Sequence, residues 1–338
     1  MGAAMSKYRV VRMTLSGRLA LILFSAALLG IVAMPWWASQ GLIRDVVTLA
    51  CYIAVAQMWN MLAGYGGIVS VGQQAFVGVS AYAMFVLAQT FGMNPFVAVF
   101  VGLIAPAILA VPIYGLLHRL EGAYFAIGTW VVAEALRLVA TNMPMLNGGA
   151  GMSLRVMTQF SAHERAVASS LLAAALLLVT LGGSYLLLRS RYGIALTAMR
   201  DNPVAAASQG VDVGRLRLLI FIATAVGTGF AGAVYFMAQL RITPPSAFDA
   251  NWANLAIFIV MVGGIGSIEG VLIGAVIYFF ADRWFGEYGA SYLIVLGLLT
   301  LACALYFRGG LWGFWSRWVE APWFPTRRRL IRQEGENA

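Results

Sequence analysis

The sequence predicts an all-α, polytopic membrane protein of about ten transmembrane helices, with both termini in the cytoplasm. Three observations lead to this fold class. Hydrophobic residues make up 61% of the chain and charged residues only 10%, whereas a soluble domain carries about 25% charged residues. Apolar runs long enough to cross a bilayer recur along the sequence. The basic residues also gather in alternate loops, as the positive-inside rule requires.

Six spans are predicted before residue 189. They cover residues 19–38, 42–62, 68–90, 95–117, 123–142 and 166–188. A glycine-rich break, Gly64-Tyr-Gly-Gly67, separates the second span from the third, and Asn94-Pro95 predicts a turn before the fourth. A second glycine-rich loop at 147–151 follows the fifth span, and it is long enough to fold over another part of the protein.

The remaining spans are predicted at 218–240, 252–263, 268–281 and 291–307. The segment 252–263 is short for a bilayer, so it is either re-entrant or strongly mismatched. Residues 1–18 and 308–338 then form a cytoplasmic N-terminal segment and a cytoplasmic tail around a transmembrane domain at 19–307. Of the 22 basic residues, sixteen fall on the side of the termini, five on the other, and Arg137 lies within a span.

Several classes of function are excluded or disfavoured by residue content. Lys7 is the only lysine, so the Gly-Lys-Ser/Thr core of an ATP-binding P-loop cannot occur in this chain. Cys51 and Cys303 both fall in apolar spans, which supports neither a disulfide nor a metal site. Arginines in cytoplasmic loops account for the net charge of +9, so this charge does not indicate nucleic-acid binding. We therefore expect no catalytic residues, no metal, no cofactor and no nucleic-acid partner.

A polar loop at residues 189–217 contains five arginines: Arg189, Arg191, Arg200, Arg215 and Arg217. Asp201-Asn202-Pro203 predicts a helix start, because Asp and Asn cap free N–H groups and Pro suits the first turn. The alanine-rich stretch that follows favours helix, and Gly210 is placed to end it. The loop is predicted to present a short exposed helix at the membrane face. That helix is either a docking site for another protein or a solvated connector.

Small and polar residues near the glycine breaks are the candidates for a translocation path. They are Ser70, Gln73, Gln74, Gly78, Gly263, Gly264 and Ser267. Interrupted helices expose backbone groups only where these line a cavity or are buried in protein, which favours a path beside them. The alternative is that the glycines serve close helix packing only.

Two further patterns leave alternatives open. Residues 66–70 (GGIVS) resemble residues 263–267 (GGIGS), which fits an internal repeat, chance, or a shared packing need. Glu134 and Arg137 are three apart, so they share one helical face. They form either a structural ion pair, part of a proton relay, or a substrate site.

Four blocks in order along residues 55–280 carry a family resemblance. They read NMLAGYGGIVSVGQQAFVGVSAY from Asn60, EGAYFAIGT from Glu121, YGIALTAMRDNP from Tyr192 through to Gly210, and VGGIGSIEG from Val262. Together they resemble the permease subunits of branched-chain amino acid ABC importers, of the LivM/LivH type.

The resemblance implies a type II importer permease fold in the bacterial inner membrane, in contact with lipid. It implies four kinds of partner: a second permease subunit, two cytoplasmic ABC ATPase subunits and a periplasmic substrate-binding protein. The chain would form half of the path for branched-chain or related amino acids, with ATP hydrolysis on a separate subunit, and would not itself be an enzyme. The alternative is a self-sufficient secondary transporter or channel for a small polar solute; an enzyme is disfavoured.

The resemblance also places the helix that couples to the ATPase within the arginine loop. The residues that it assigns to this role are Arg200, Asp201, Asn202, Ala205, Ala206 and Gly210. Val204 stands where the general pattern E-A-A-x-x-x-G has glutamate. An acidic contact to the ATPase at this position is therefore not expected.

Overall fold

The computed structural model describes residues 8–11, 15–307, 309–316, 323–324 and 329–332. The helices of the first part are α1 (Leu15–Ala33), α2 (Gln40–Asn60), α3 (Gln73–Gln89), α4 (Pro95–Gly102), α5 (Ile104–Leu117), α6 (Ala123–Asn142), α7 (Ala162–Leu177) and α8 (Gly183–Arg189). Two π-helical turns, Met61–Tyr65 and Leu178–Gly182, extend α2 and join α7 to α8.

The second part begins with two short helices in the arginine loop. Its helices are α9 (Arg191–Asp201), α10 (Pro203–Ser208), α11 (Val213–Gln239), α12 (Pro244–Ala247), α13 (Asn251–Gly263), α14 (Ile268–Phe285), α15 (Ala290–Tyr306) and α16 (Gly310–Trp315). The strands are β1 (Tyr8–Val11), β2 (Met152–Ser153), β3 (Arg241–Ile242) and β4 (Arg329–Arg332). Strand β1 pairs antiparallel with β4, so the two ends of the chain lie side by side.

Within the described residues, eight helical segments are long and apolar enough to cross a membrane. They include Pro244–Gly263, so the short predicted segment at 252–263 belongs to a candidate span of 20 residues. Of the predicted spans, α3 has only 17 residues, and α14 carries three charged residues, Glu269, Asp282 and Arg283. The predicted all-α, polytopic fold class is confirmed.

The third predicted span begins later than the sequence indicates. Residues 68–72 are not helical, and α3 begins at Gln73 rather than at residue 68. The backbone of this stretch has partners outside its own helix. The indole N–H of Trp59 donates to the carbonyl of Ser70 over 2.8 Å, and the Val71 N–H donates to the hydroxyl of Thr129 over 3.0 Å. These bonds stabilise a non-helical backbone that would otherwise be costly to bury.

Helix α2 forms the centre of the subunit. In an apolar stretch of 18 residues from each candidate span, 83% is buried for the span containing α2, against 11% for that containing α1 and 18% for that containing α15. Helix α11 packs on both α2 and α3 through glycines: a Cβ added at Gly227 would clash with Met58, and one at Gly232 would clash with Val77. The apolar outer faces of α1 and α15 are thus free to contact lipid or other subunits.

Candidate functional site

Loops that are far apart in sequence meet at the C-terminal end of α2. The fully buried side chain of Asn60 makes two hydrogen bonds there. Its Nδ2 donates to the carbonyl of Ser267 over 3.0 Å, and its Oδ1 accepts from the Gly266 N–H over 2.8 Å. Asn60 of α2 thereby forms hydrogen bonds with two backbone groups in the break between α13 and α14, groups that have no partner within a helix.

The arginine loop reaches the same place through Arg200. Its Nη1 donates to the carbonyl of Gly64 over 2.8 Å, while its Nη2 lies 2.8 Å from the Asp201 carboxylate. A Cβ on Gly64 would sit 2.8 Å from the Gly266 nitrogen, so only glycine permits this approach. We call the set Asn60, Gly64, Arg200, Gly266 and Ser267 the glycine junction. Of the two similar segments, 263–267 contributes Gly266 and Ser267 to it, and 66–70 begins two residues after Gly64.

The helices of the arginine loop differ from the prediction in one respect. Asp201 does not open a helix; it is the last residue of α9, and its carboxylate faces Arg200. Asn202 is the cap of α10, because its Oδ1 accepts from the Ala205 N–H over 3.0 Å. The sequence could not show that the break falls at Asn202, since Asp and Asn are both good caps.

Helix α10 is short and mostly exposed. Ala206 is buried, whereas Val204 is 78% exposed and Ala205 is also exposed. Gly210 follows with a φ of +87°, a conformation that ends the segment and favours glycine. Of the residues assigned to ATPase coupling, Arg200 lies in the glycine junction, and Val204 beside Ala205 points an apolar surface away from the subunit.

Three of the predicted path residues are buried polar side chains at the start of α3. The Ser70 hydroxyl accepts from the Gly72 N–H over 3.2 Å, and Oε1 of Gln73 accepts from the Thr228 hydroxyl over 3.2 Å. Nε2 of Gln73 and Oε1 of Gln74 have no hydrogen-bond partner within the described part of the chain, and neither amide atom of Gln57 has one. Such groups are costly to bury unpaired, so these amides are candidates to bond a polar molecule.

The other predicted path residues lie in tight contacts. A Cβ at Gly78 would sit 2.5 Å from the ring of Phe248, and one at Gly263 would sit 1.9 Å from the carbonyl of Gly270. Gly264 adopts a φ of +136° and packs against Gly309 and Trp312. Ser267 caps α14 by accepting from the Gly270 N–H over 3.2 Å. The structure does not bring Gly78 to the glycine junction.

Glu134 and Arg137 form an ion pair in the second half of α6. Arg137 Nε lies 2.9 Å from both carboxylate oxygens of Glu134. The two side chains are 44% and 30% exposed, respectively, on the subunit surface. A charge pair at this depth is unfavourable in lipid, so it requires water or protein over it.

A polar cavity beside the middle of α2 was not predicted from the sequence. The predicted span at 268–281 stops one residue before Asp282, which lies on α14 and lines the cavity. Tyr278 and Asp282 are four residues apart, hence on one face, and that spacing was the signal available. Cys51 and Cys303 are free, and the described residues contain no group of three metal-ligating side chains.

A family model described as "Branched-chain amino acid transport system / permease component" matches residues 41–304. The chain belongs to this family. The permease is 26% identical to the high-affinity branched-chain amino acid transport system permease protein LivM of Salmonella typhimurium over 320 residues, covering 86% of this chain and 74% of the relative. LivM of Escherichia coli strain K12 matches equally, at 26% over 321 residues with the same coverage.

A shorter match reaches a permease named for another cargo. The autoinducer 2 import system permease protein LsrC of Klebsiella pneumoniae is 31% identical over 139 residues, covering 37% of this chain and 40% of the relative. The family resemblance read from the four blocks is thus confirmed, and the protein is a multi-pass inner-membrane permease component. All five residues of the glycine junction fall within the matched range of the permease.

Proposed function

We propose that this permease is a non-catalytic subunit of an ATP-driven importer for branched-chain or related amino acids. It would form half of the translocation path and assemble with a second permease subunit, two cytoplasmic ATPase subunits and a periplasmic binding protein. The hydrogen bond from Arg200 to Gly64 carries this proposal, because it joins the exposed arginine loop to the breaks beside the buried glutamines.

The shape of the arginine loop supports docking rather than a plain connector. Val204 and Ala205 present an apolar surface, while buried Ala206 fixes α10 to the subunit. An ATPase that bound this surface and shifted on ATP hydrolysis would move α10, α9 and with them the Arg200 guanidinium. The shift would then reach Gly64 and, through close backbone contact, Gly266. A coupling free energy of this kind needs a structural element with two arrangements.

The ion pair on α6 supports a second subunit. Glu134 and Arg137 lie well inside a 20-residue span and are partly exposed on the isolated chain. Lipid would leave them unsolvated. A partner permease or a water-filled path between two permeases covers them without that cost, which fits a chain that forms half of the path.

The membrane topology in this proposal follows from the distribution of basic residues between the loops. Sixteen basic residues against five support a cytoplasmic arginine loop and cytoplasmic termini, with ten passes. The glycine junction then lies toward the cytoplasm, and the Asp282 cavity toward the periplasm. Ten passes require α3 and α14 to cross as well, and their polar residues then sit within the subunit.

The cargo class rests on the relatives and on the chemistry of the interior. The relatives that match most of the chain are named for branched-chain amino acids. The buried glutamines supply neutral donors and acceptors, which suit a zwitterion with no net charge.

The importer reconstituted with its ATPase and binding protein tests the proposal. Proteoliposomes loaded with ATP should accumulate labelled L-leucine, and those loaded with ADP should not. Excess L-isoleucine should compete, whereas D-xylose should not. Competition by xylose alone would overturn the cargo class and leave the ATP dependence standing.

A further inference from the structure

A cavity of about 650 Å³ lies beside the middle of α2. Its lining includes six aromatic residues and two carboxylates: Tyr52, Tyr235, Phe236, Trp252, Tyr278, Tyr292, Asp249 and Asp282. The volume falls within the roughly 300–1,000 Å³ typical of small-molecule sites. Tyr52 precedes Asn60 by eight residues, or about 12 Å of helix, so the cavity and the glycine junction lie at different depths along α2. We call this cavity the Asp282 chamber.

Four aromatic residues of the chamber form two edge-to-face pairs. The rings of Tyr52 and Tyr278 meet edge to face with centroids 5.4 Å apart, and those of Tyr235 and Trp252 do so at 4.9 Å. The indole N–H of Trp252 donates to the carbonyl of Ser246 over 3.2 Å, which fixes its ring. Rings held in this way around a cavity attract a cation through their faces.

Asp282 is the half-buried carboxylate of the chamber, and it lacks a cationic partner among the described residues. The hydroxyl of Tyr52 donates to its Oδ2 over 3.3 Å. The neighbouring guanidinium of Arg283 pairs with Asp45 instead. None of the ion pairs within the described part of the chain includes Asp282. A partly desolvated carboxylate without a cation is unfavourable, so a cationic ligand would stabilise it.

Two other charged side chains line the chamber. Arg241 and Asp249 are both exposed and contribute to the lining. Arg241 forms no ion pair in the part of the chain that the structure describes. A cation at its rim and an anion in its wall match the two charges of a zwitterion.

We propose that the Asp282 chamber binds the α-ammonium group of an amino acid. Asp282 is the counter-ion, the rings of Tyr52, Tyr278 and Trp252 surround the ammonium, and Arg241 attracts the carboxylate from the rim. The inference rests on the proposed import of amino acids and adds a recognition site within the permease itself. It differs from the buried glutamines, which are neutral and lie at the start of α3.

The test is charge-selective thiol labelling in the assembled importer. Leu293 lines the chamber and is 44% exposed, so Leu293→Cys is accessible to reagents, whereas Cys51 and Cys303 are buried. The probes are the cationic trimethylammonium-ethyl and the anionic sulfonatoethyl methanethiosulfonates. We expect the ratio of the cationic to the anionic labelling rate, divided by the same ratio for 2-mercaptoethanol in solution, to be about ten. Asp282→Asn should bring the ratio close to one.

Matched controls separate the chamber from surface charge in general. Glu287 is an exposed carboxylate near the same end of α14 but outside the lining. Glu287→Gln should leave the ratio unchanged, and Asp282→Glu, which keeps the charge, should preserve it. The proposal would be overturned if Asp282→Asn left the ratio of cationic to anionic labelling rates unchanged. This outcome counts only if the variant still assembles and elutes as the parent does.

Protection identifies the ligand. L-Leucine should slow the labelling, whereas 4-methylpentanoate, which has the same side chain and carboxylate but no ammonium, should not. Equal protection by both, or none by leucine, would overturn the ammonium assignment. Failure of ATP-driven leucine uptake by the unmodified importer would instead overturn the proposed function, so the two failures are distinguishable.

Discussion

The guanidinium of Arg200 donates a hydrogen bond of 2.8 Å to the carbonyl of Gly64, 136 residues away in sequence. Gly64 in turn lies so close to Gly266 that no side chain fits between them. This relationship joins the arginine loop to both glycine breaks of the permease.

Arg200→Ala should uncouple ATP hydrolysis from uptake. A hydrogen bond from a charged group contributes about 1.5–3 kcal/mol, so loss of this bond should lower uptake per ATP hydrolysed at least about tenfold. ATPase copurification should persist. Arg191→Ala is the matched control, because Arg191 is exposed and contacts the ring and hydroxyl of Tyr192. Equal uptake per ATP in the two variants would argue against a role for the Arg200–Gly64 bond.

Helix α10 should fail to dock when its backbone is broken. In Ala206→Pro, the N–H that bonds the Asn202 carbonyl over 3.0 Å is lost, at a cost of roughly 3 kcal/mol. We expect lost ATPase copurification with normal membrane insertion. Ala206→Ser keeps the N–H and should retain the ATPase. Full uptake by the proline variant would show that α10 has no docking role.

The buried polar side chains should matter for cargo beyond any effect on folding. Gln73→Leu removes an amide whose Nε2 has no partner in the described chain, but it also leaves the buried Thr228 hydroxyl unbonded, at about 1–3 kcal/mol of folding stability. Leucine uptake should fall several-fold. Thr228→Val, which removes only the hydroxyl bonded to Gln73, should have a smaller effect. Normal uptake and substrate range in Gln73→Leu would place Gln73 outside the path.

Thiol labelling of single-cysteine variants should show that Ala150 and Ser208 lie on opposite sides of the membrane. Ala150 and Ser208 are both exposed, and the native cysteines are buried. A membrane-impermeant maleimide added to intact cells, whose outer membrane has been permeabilised, should label Ala150→Cys but not Ser208→Cys. Labelling of both from outside would contradict the ten-span topology with a cytoplasmic arginine loop.

Local signals in the sequence predicted most of the helices. The predicted span at 123–142 coincides with α6, because a glycine and a polar stretch bound a run that is apolar apart from Glu134, Arg137 and a few small polar residues. The start of α3 could not be predicted, since Ile68 and Val69 continue the apolar pattern. Only the fold brings Trp59 and Thr129 to the backbone of Ser70 and Val71.

The parts of the site that depend on distant contacts lay beyond sequence reasoning. The family resemblance predicts a coupling role for Arg200, but the bond from Arg200 to Gly64 spans 136 positions and leaves no local pattern. Asp282 was excluded from its span because a charge normally ends an apolar run. In the fold, Tyr52 donates to Asp282, which allows α14 to continue to Phe285.

The central claim is that uptake is driven by ATP through a separate ATPase. Measuring which energy source drives L-leucine uptake tests this claim most directly. The permease alone in proteoliposomes, under an imposed proton or sodium gradient, should give no L-leucine accumulation. Addition of the ATPase, the second permease and the binding protein during reconstitution, with ATP supplied on the ATPase side, should restore it. Gradient-driven accumulation by the permease alone would contradict the account and favour a self-sufficient carrier.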